Sequence, residues 1–555
     1  MPRQARHAIF ITLLTAAVAC IGPTIAQSSD LGPRTSRMYE WVEWSVANPT
    51  CGGNPFDLVA TVTFTHQRSG KLHVTEMFYV GDETWAFRFT GTATGRWTFT
   101  TQSQDPDLDG HAGIVRVRPN ADPAIRGFLT HQGNKYAVQT GNDAHLEGYL
   151  LNVYMNQQDY SQQHEHATRI LGDPDRAGLI DAYWDDTREN GFNTYFFSVF
   201  YSWFRMGALS IGDFSGGADP DLDEPDPALF DALELAIRHA HQRGGRTHIW
   251  AWGDNGRKQT PNHLGDGFRG PRHQRLIRYI AARLGPLPGW TMNFGFDTIE
   301  MPSAEADGAW WAEQLNQRMG WPHLLMSRGW DDDSFGALSY AGFGGNPYEL
   351  ETTDKGPADY DEVRQHLQTR PYKPSIYEER HTYNRWRCWP GSVPDPERLN
   401  ESGSRRLVWW EAMAGGMGGF FGHYSTRFND YGPFRPEGPC GYHPESLKQA
   451  FRTHREFWRG RFLLDMEPRD DLTSAYCLAS PDREHYVFYG EQTQSIDIDL
   501  SESAGPLPAV AIDTTADCGE IALGDLPAAK QTWTAPHESD WVIAVGDFSR
   551  TRRAR

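Results

Sequence analysis

Positive charge and cysteine are both scarce in this chain. Its 555 residues include 52 Lys and Arg against 72 Asp and Glu, and only six Cys, so the formal net charge is −20 at pH 7. This charge disfavours nucleic acids and anionic membranes as partners, because both are themselves negatively charged. It does not exclude an acidic polysaccharide, since local patches can differ from the total. The cysteine spacings do not resemble those of a zinc site.

Long hydrophobic runs are missing after the first residues. A basic start, an apolar run over residues 8–19 and small residues at 24–26 predict a secretory signal over residues 1–26. The apolar run is shorter than a membrane span requires, and no later segment is apolar enough to cross a bilayer. We therefore expect a secreted or periplasmic protein without a membrane span. Cys20 leaves a lipid anchor as the alternative, although the residues before it match a lipidation site poorly.

Several catalytic and cofactor motifs are also missing. No glycine-rich nucleotide fingerprint follows any predicted strand, and no Gly-x-Ser-x-Gly element is present, which argues against nucleotide binding and against a serine hydrolase. The His164-Glu165-His166 run lacks the His-Glu-x-x-His spacing of a metalloprotease. The acidic residues 331–333 are more typical of a polar loop than of a calcium site. We expect that no cofactor or metal is needed.

Five cysteines remain once the signal is removed. In an oxidising compartment we expect pairing of Cys388 with Cys440 and of Cys477 with Cys518. Cys51 would then carry the odd thiol.

Aromatic residues are abundant instead. They make up 13% of the chain, and 20 of them are Trp. Part of this set will serve ordinary core packing. The remainder could provide the flat apolar faces on which sugars stack, so a carbohydrate is the partner that the composition favours. The sequence does not fix the oligomeric state.

Short alternating segments predict β domains at both ends of the mature chain. Residues 58–64, 85–89 and 95–100 alternate apolar and polar side chains with turn residues between them, which indicates a β-sandwich over residues 35–122. A second β-sandwich is expected over residues 461–555.

The middle of the chain, residues 123–460, alternates strand and helix patterns. About eight βα units fit this length, and their strands are continuously apolar, as expected for a parallel sheet that is covered on both faces. A (β/α)8 TIM barrel is the most economical α/β architecture. A doubly wound open sheet is the alternative, and the missing nucleotide fingerprint counts against it.

Carboxylates follow two strands that face each other across such a barrel. The fourth predicted strand, residues 290–296, is followed by Asp297 and Glu300, and the seventh by Glu378 and Glu379. Barrel active sites lie where the strands end, and glycosidic bond cleavage uses a pair of carboxylates. We therefore predict Asp297 as acid/base, with Glu300 as the alternate, and Glu379 as nucleophile, with Glu378 close behind.

Other polar and aromatic residues at the predicted strand ends are candidates for substrate binding. They are Trp203, Trp252, Asp254, Asn255, Arg328, Trp330, Arg380 and His423. Trp203, Trp252 and Trp330 are the candidate sugar platforms among them. Arg380 could keep the neighbouring carboxylate ionised.

Two other classes of function stay open at this point. A polysaccharide lyase would need a Lys, Tyr or His base and a group that neutralises a uronate, for which Tyr377, His381 and Arg380 could serve. A non-catalytic carbohydrate-binding protein built on a decayed barrel is the other alternative.

The N-terminal segment resembles the Ig-like module that precedes many secreted clan A glycoside hydrolases. The shared residues are Phe78-Tyr79-Val80-Gly81-Asp82-Glu83-Thr84-Trp85, Arg88-Phe89, Gly95-Arg96-Trp97 and Leu108-Asp109-Gly110-His111-Ala112-Gly113. This resemblance implies a secreted enzyme with a catalytic barrel downstream.

The barrel resembles the apiosidase-like glycoside hydrolases. Their fourth strand ends Gly-Gly-Asp, as in Gly295-Phe296-Asp297, and their seventh ends in a glutamate, as in Lys373-Pro374-Ser375-Ile376-Tyr377-Glu378-Glu379. The run from Arg406 to Gly419 resembles their last helix and strand, and residues 476–479 and 486–489 their C-terminal β-domain. The resemblance implies a retaining mechanism with Asp297 as acid/base and Glu379 as nucleophile. Phe296 and Thr298 depart from the pattern, and the doubled glutamate leaves the register of the nucleophile open by one residue.

Overall fold

The structure is a computed structural model. It describes residues 30–141, 145–156, 170, 172–199, 203–204, 224–253, 260–295, 303–328, 331–340, 360–378, 400–423 and 443–548. The predicted signal over residues 1–26 lies outside these ranges.

Two sheets form the N-terminal β-sandwich. Their strands are β1 (Asp30–Arg37), β2 (Trp41–Ala47), β3 (Ala60–His66), β4 (Leu72–Glu76), β5 (Phe78–Gly81), β6 (Thr84–Thr90), β7 (Gly95–Ser103) and β8 (Ala112–Arg118). The sheet orders are β1-β8-β7-β3-β4 and β2-β6-β5. Alternating apolar residues of both sheets share one core, in which the Trp44 and Phe99 rings lie 4.9 Å apart across the sandwich.

Eight parallel strands close into the predicted barrel. They are β12 (Asn152–Asn156), β13 (Thr194–Ser198), β14 (Arg246–Trp252), β15 (Trp290–Gly295), β16 (Leu325–Arg328), β17 (Ala337–Tyr340), β18 (Ser375–Tyr377) and β19 (Gly418–His423). Each pairs with its sequence neighbour, and β19 returns to β12. The closed parallel barrel confirms the predicted fold class and excludes an open sheet.

Helices cover the outside of the barrel. They are α1 (Arg176–Glu189), α2 (Pro227–Gln242), α3 (Pro271–Leu284), α4 (Ala304–Arg318), α5 (Tyr360–Thr369), α6 (Glu401–Met413) and α7 (Glu445–Trp458). Local chemistry explains several starts, because the side chains of Asp175, Asp226 and Asn400 accept hydrogen bonds from the first turns of α1, α2 and α6. Short 3-10 turns occur at Pro55–Asp57, Pro261–His263 and Asp470–Leu472.

One connection departs from the regular βα repeat. Residues 329–336 join β16 to β17, which are adjacent and parallel, and the described part of this connection contains turns rather than a helix. Asp331 forms a 2.9 Å ion pair with Lys373, which lies two residues before the start of β18. The acidic run at 331–333 therefore lies near the amino-terminal end of the barrel, away from the end where catalytic residues gather.

A small sheet that the sequence did not predict closes the amino-terminal end of the barrel. Its strands are β9 (Leu129–Gln132), β10 (Lys135–Thr140) and β11 (His145–Gly148), in the order β11-β10-β9. Leu129, Tyr136 and Val138 pack with Ile376 and Phe420 in the core inside the barrel. This sheet supplies the floor beneath the barrel interior.

The C-terminal domain is a six-stranded antiparallel sheet. Its strands are β20 (Glu467–Pro468), β21 (Tyr476–Ala479), β22 (Tyr486–Asp499), β23 (Leu507–Asp513), β24 (Ile521–Leu526) and β25 (Lys530–Val545), in the order β20-β21-β22-β25-β23-β24. One face packs on α6 and α7. The register of the long pair β22 and β25 shifts near Gly490 and Thr493. Residues of β22 from both sides of this shift pack into one core on the other face of the sheet.

The predicted disulfide between Cys477 and Cys518 is wrong. Cys477 is a free, buried thiol in β21, and its side chain belongs to the core on one face of the C-terminal sheet. Cys518 packs against the core on the opposite face. The sheet thus separates the two residues. Cys388 and Cys440 lie outside the described residues.

Candidate active site

Glu378 occupies the interior of the barrel directly after β18. Side chains of a strand alternate between its faces, and here Ile376 joins the interior core whereas Tyr377 packs outward against the helices. Glu378 continues the inward face and is completely buried. Its position is two residues beyond Ile376, at the carboxyl end of the seventh barrel strand.

Neutral donors from the third and fourth strands hold one oxygen of Glu378. Asn293 donates from Nδ2 to Oε1, and Trp250 donates from Nε1 to the same oxygen over 3.3 Å. Asn293 also donates to Ser339 over 3.1 Å. The fourth and seventh strands therefore deliver side chains to one point inside the barrel.

The second oxygen of Glu378 is in a different situation. Among the described residues, Oε2 has no hydrogen-bond partner, although it is buried. A buried carboxylate oxygen without a partner is costly, so such an oxygen calls for an explanation. One oxygen held by donors and the other available is the arrangement that a carboxylate nucleophile needs.

His248 and Tyr136 also lie beside this carboxylate. His248 Nε2 lies 3.5 Å from Glu378 Oε1, and its Nδ1 lies 2.7 Å from Thr291 Oγ1. Tyr136 rises from the floor sheet. Burial raises the pKa of Tyr136 well above its ordinary value, and the negative charge of Glu378 raises it further. Tyr136 is therefore a neutral phenol beneath the carboxylate.

The other predicted catalytic carboxylates fall in segments that the structure does not describe. Asp297, Glu300 and Glu379 lie outside the described residues, and their roles stay predictions. Asp254, Asn255, Trp330 and Arg380 of the predicted substrate-binding set also lie outside them, as does His381.

Two of the predicted sugar platforms need correction. Trp203 and Trp252 are completely buried among the helices around the barrel. Trp203 donates to the carbonyl of Ala251 over 2.7 Å, and Trp252 packs edge-on against His273 of α3. Rings enclosed in this way have no face open to a sugar, so both serve packing.

Arg328 and His423 end two of the barrel strands. Arg328 is buried and follows Met326, a residue of the interior core, by two positions, so it shares the inward face of β16. His423 is the last residue of β19, and its backbone pairs with Asn156. Both therefore lie at the carboxyl end of the barrel.

Sequence reasoning missed the interior residues His248, Trp250 and Asn293. Each lies within a strand rather than after it, and the prediction considered the residues after strand ends. The signal was present, because polar residues on alternate positions of an otherwise apolar barrel strand must point at one another inside it.

Neither a metal site nor a membrane span is found in the described part of the chain. Its His, Cys, Asp and Glu side chains form no group of three that could hold a metal ion. Its helices include none that is both long and apolar enough to cross a bilayer.

Two family models match the chain. Residues 173–427 match the apiosidase-like catalytic domain, and residues 35–104 match a domain of unknown function (DUF5060). The first range contains seven of the eight barrel strands, β13 to β19, together with Glu378. The resemblance of the barrel to apiosidase-like enzymes is thereby confirmed. None of the curated proteins matches the sequence.

Solved structures of glycoside hydrolases share the fold. A candidate glycoside hydrolase from Bacteroides vulgatus is 17% identical with a TM-score of 0.62, over 92% of this chain and 99% of the other. A glycoside hydrolase family 5 protein from Bacteroides vulgatus is 16% identical with a TM-score of 0.51, over 76% and 93%. A further glycoside hydrolase is 14% identical with a TM-score of 0.51, over 76% and 97%. At these identities the likeness concerns the fold.

Proposed function

We propose that this chain, a glycoside hydrolase with an apiosidase-like catalytic barrel, cleaves a polysaccharide or oligosaccharide with retention of anomeric configuration. The observation that supports this most is the buried contact between Asn293 and Glu378, which joins the fourth and seventh strands inside the barrel. Retaining cleavage needs a nucleophile and an acid/base about 5–5.5 Å apart, and these two strands can deliver them.

Glu378 is the preferred nucleophile in this proposal, and Glu379 becomes the alternative. Glu378 faces the interior, its Oε1 is fixed by Trp250 and Asn293, and its Oε2 has no partner among the described residues. The buried, inward position of Glu378 is the reason for reversing the order that the sequence suggested.

Asp297 is the proposed acid/base, with Glu300 as the alternate. Asn293 contacts Glu378 inside the barrel, and Asp297 follows Asn293 by four residues in the sequence. A proton donor at the mouth of the barrel would protonate the leaving oxygen and then activate the water that releases the sugar.

The substrate is proposed from composition and charge. The 20 Trp residues favour a carbohydrate, and Arg328 at the end of β16 is placed where it could meet a polar or acidic sugar. We propose export by the signal over residues 1–26, so that plant, algal or bacterial polysaccharides outside the cytoplasm are the substrates to examine.

The lyase alternative loses one of its candidates for the base. Tyr377 packs outward into the core beside α5 and α6, so it is not placed to remove a proton from a sugar inside the barrel. A lyase product would carry an unsaturated sugar that absorbs in the ultraviolet, and a hydrolase product would not. A binding protein would retain the glycan without releasing any product.

The test begins with a polysaccharide screen and then identifies the nucleophile. Products are followed by NMR to see whether the first-formed anomer retains the configuration of the substrate. Glu378→Ala, Glu379→Ala and Asp297→Ala are then assayed on an aryl glycoside of the released sugar, with and without azide. Azide replaces a missing nucleophile and gives a glycosyl azide of inverted configuration, whereas an acid/base variant gives the retained product.

Each outcome has a defined meaning. Inverted glycosyl azide from Glu378→Ala and retained azide from Asp297→Ala would support the proposal. Inverted azide from Glu379→Ala alone would move the nucleophile by one residue. Normal turnover in all three variants, or release of an unsaturated sugar from the polysaccharide, would end the proposed mechanism.

A further inference from the structure

His248 differs from the other buried histidines in its partners. His241 and His323 each place a ring nitrogen against a backbone carbonyl, those of Arg126 and Gly285, as core histidines commonly do. His248 is completely buried in β14, yet its two nitrogens face the Thr291 hydroxyl and the Glu378 carboxylate. Its position therefore joins the third, fourth and seventh strands through side chains alone.

The hydrogen-bond pattern indicates where the imidazole proton lies. If the Thr291 hydroxyl donates to Nδ1, the neutral ring carries its proton on Nε2. If Nδ1 donates to Thr291 instead, the neutral ring turns the lone pair of Nε2 toward a carboxylate, which is repulsive. The proton is therefore placed on Nε2, which lies 3.5 Å from Glu378 Oε1 and has no hydrogen-bond partner among the described residues.

We propose that His248 is a positioning residue that donates from Nε2 to Glu378 and, together with Thr291, fixes the carboxylate for attack. The inference rests on the proposed function, in which Glu378 is the nucleophile. The present separation of 3.5 Å is longer than an ordinary hydrogen bond, and contacts of this type commonly shorten when substrate binds.

The elements around Glu378 support this assignment. Among the described residues, the titratable groups that face it are His248 from β14 and Tyr136 from the floor sheet, and Arg328 lies on the inward face of β16. The Phe420 ring meets the His248 ring edge-on at 5.1 Å, so the imidazole has little freedom to turn away. A fixed donor lowers the cost of holding the charge in a site that excludes water.

The decisive comparison is His248→Gln against His248→Leu. Gln keeps an N–H donor at nearly the same reach, whereas Leu fills the space without one. We expect His248→Leu to lower kcat about 10- to 100-fold with little change in KM, the range for losing a hydrogen bond to a charged group. We expect His248→Gln to stay within a few-fold of the original rate.

The pH profile provides a readout that packing alone would not move. Removing a donor from a carboxylate makes protonation easier, so the acidic limb of kcat/KM should move to higher pH in His248→Leu and stay in place in His248→Gln. His454→Leu is the matched control, because His454 is equally buried but packs against Trp409 on the outer helices. It should alter the Tm without moving the limb.

The outcomes separate this inference from the proposed function. Equal losses in the Gln and Leu variants, or an unchanged kcat in His248→Leu, would overturn the positioning role even if Glu378→Ala is rescued by azide. If His248→Leu does not fold, Thr291→Val replaces it, with an expected loss of about three-fold in kcat and the same shift of the acidic limb. An unchanged profile in Thr291→Val would also overturn the role. Failure of azide rescue in Glu378→Ala would instead count against the proposed function.

Discussion

Glu234 and Glu378 are both buried carboxylates, but they have different kinds of partners. Glu234 on α2 meets two cations, Arg88 of the N-terminal sandwich at 2.7 Å and Arg283 of α3 at 2.5 Å. Both of its oxygens accept hydrogen bonds from these guanidinium groups. Among the described residues, Glu378 accepts hydrogen bonds from the neutral donors Asn293 and Trp250 alone, both on Oε1, and the His248 ring lies 3.5 Å from the same oxygen.

The difference distinguishes a structural carboxylate from a candidate catalytic one. Burial alone would raise the pKa of Glu234, but the charges of Arg283 and Arg88 outweigh burial and place it below its ordinary value. A carboxylate with a cation on each side is fully engaged in holding two domains together. A carboxylate with one oxygen unpartnered keeps the capacity to react.

The largest expected effect is on catalysis at Glu378. Glu378→Gln preserves the shape and the acceptor that Asn293 and Trp250 use but removes the nucleophilic charge. We expect kcat to fall on the order of 10⁴-fold or more, as for other nucleophile replacements. The Tm should stay the same or rise, because the removed charge lies on a buried carboxylate whose Oε2 has no hydrogen-bond partner among the described residues. Activity assays beside thermal melts measure both.

The second effect is on stability at Glu234. Glu234→Gln leaves Arg88 and Arg283 facing each other in a buried site, and breaking a buried pair in this way typically costs about 3–5 kcal/mol. We expect a markedly lower free energy of unfolding in denaturant titrations and an unchanged kcat for the folded fraction. A variant that lost kcat but kept its stability would erase the distinction between the two carboxylates.

Acid should act on the same residue in a defined direction. A folded pKa below the unfolded value means that Glu234 stabilises the protein above its unfolded pKa of about 4.5, and that this stabilisation disappears as the pH falls further. The original chain should therefore lose stability below this pH more steeply than Glu234→Gln. Melting temperatures recorded across the acidic range test the sign.

A smaller effect is expected at Glu491, which is intermediate between the two. Trp410 donates to it over 2.6 Å, and Arg406 lies 3.8 Å away. Burial raises the pKa of Glu491 to about 7 against the lowering charge of Arg406. The folded pKa of Glu491 exceeds the unfolded one. The contribution of this residue to the free energy of unfolding is therefore largest below about pH 4.5 and is lost as the pH rises through about 7. Glu491→Gln should therefore gain about 1–2 kcal/mol at pH 8 and nothing at pH 4.

The smallest effect serves as the exposed reference. Glu445 on α7 pairs with Arg452 at 2.5 Å, but its side chain is 67% exposed. Water screens such a pair, and Glu445→Gln should change the free energy of unfolding by less than about 0.5 kcal/mol. A loss comparable to that of Glu234→Gln would mean that burial does not explain the contrast.

Much of the fold could be predicted because its elements are locally consistent. The helix that begins with Pro227 after the capping Asp226, and the strands at 246–252 and 290–295, have patterns that tertiary structure did not override. The β9–β11 sheet was missed because its strands are short and are stabilised by packing against the interior of the barrel. The floor strands contact barrel strands that lie more than 200 residues later in the sequence, and such a contact leaves no local sequence pattern.

Of the carboxylates that the sequence predicted at the fourth and seventh strand ends, the structure describes Glu378 alone, and the roles of the others stay predictions. Strand order alone indicated that the fourth and seventh strands would supply carboxylates. Only the outward packing of Tyr377 reveals that Glu378 faces inward, and only the shared core reveals that Trp203 and Trp252 are enclosed. Doubled residues and abundant Trp are ambiguous until the neighbours that cover them are known.

The placement of Arg88 limits how this protein can be recombined. Its guanidinium belongs to the N-terminal sandwich, while the glutamate and the second arginine of the triad belong to the barrel. If another sandwich without a cation at this position replaced the present one, Glu234 would keep Arg283 as a partner but lose Arg88. The sandwich and the barrel therefore have to be exchanged together. A chimaera between relatives should fold only where the new sandwich also carries an arginine that can pair with Glu234.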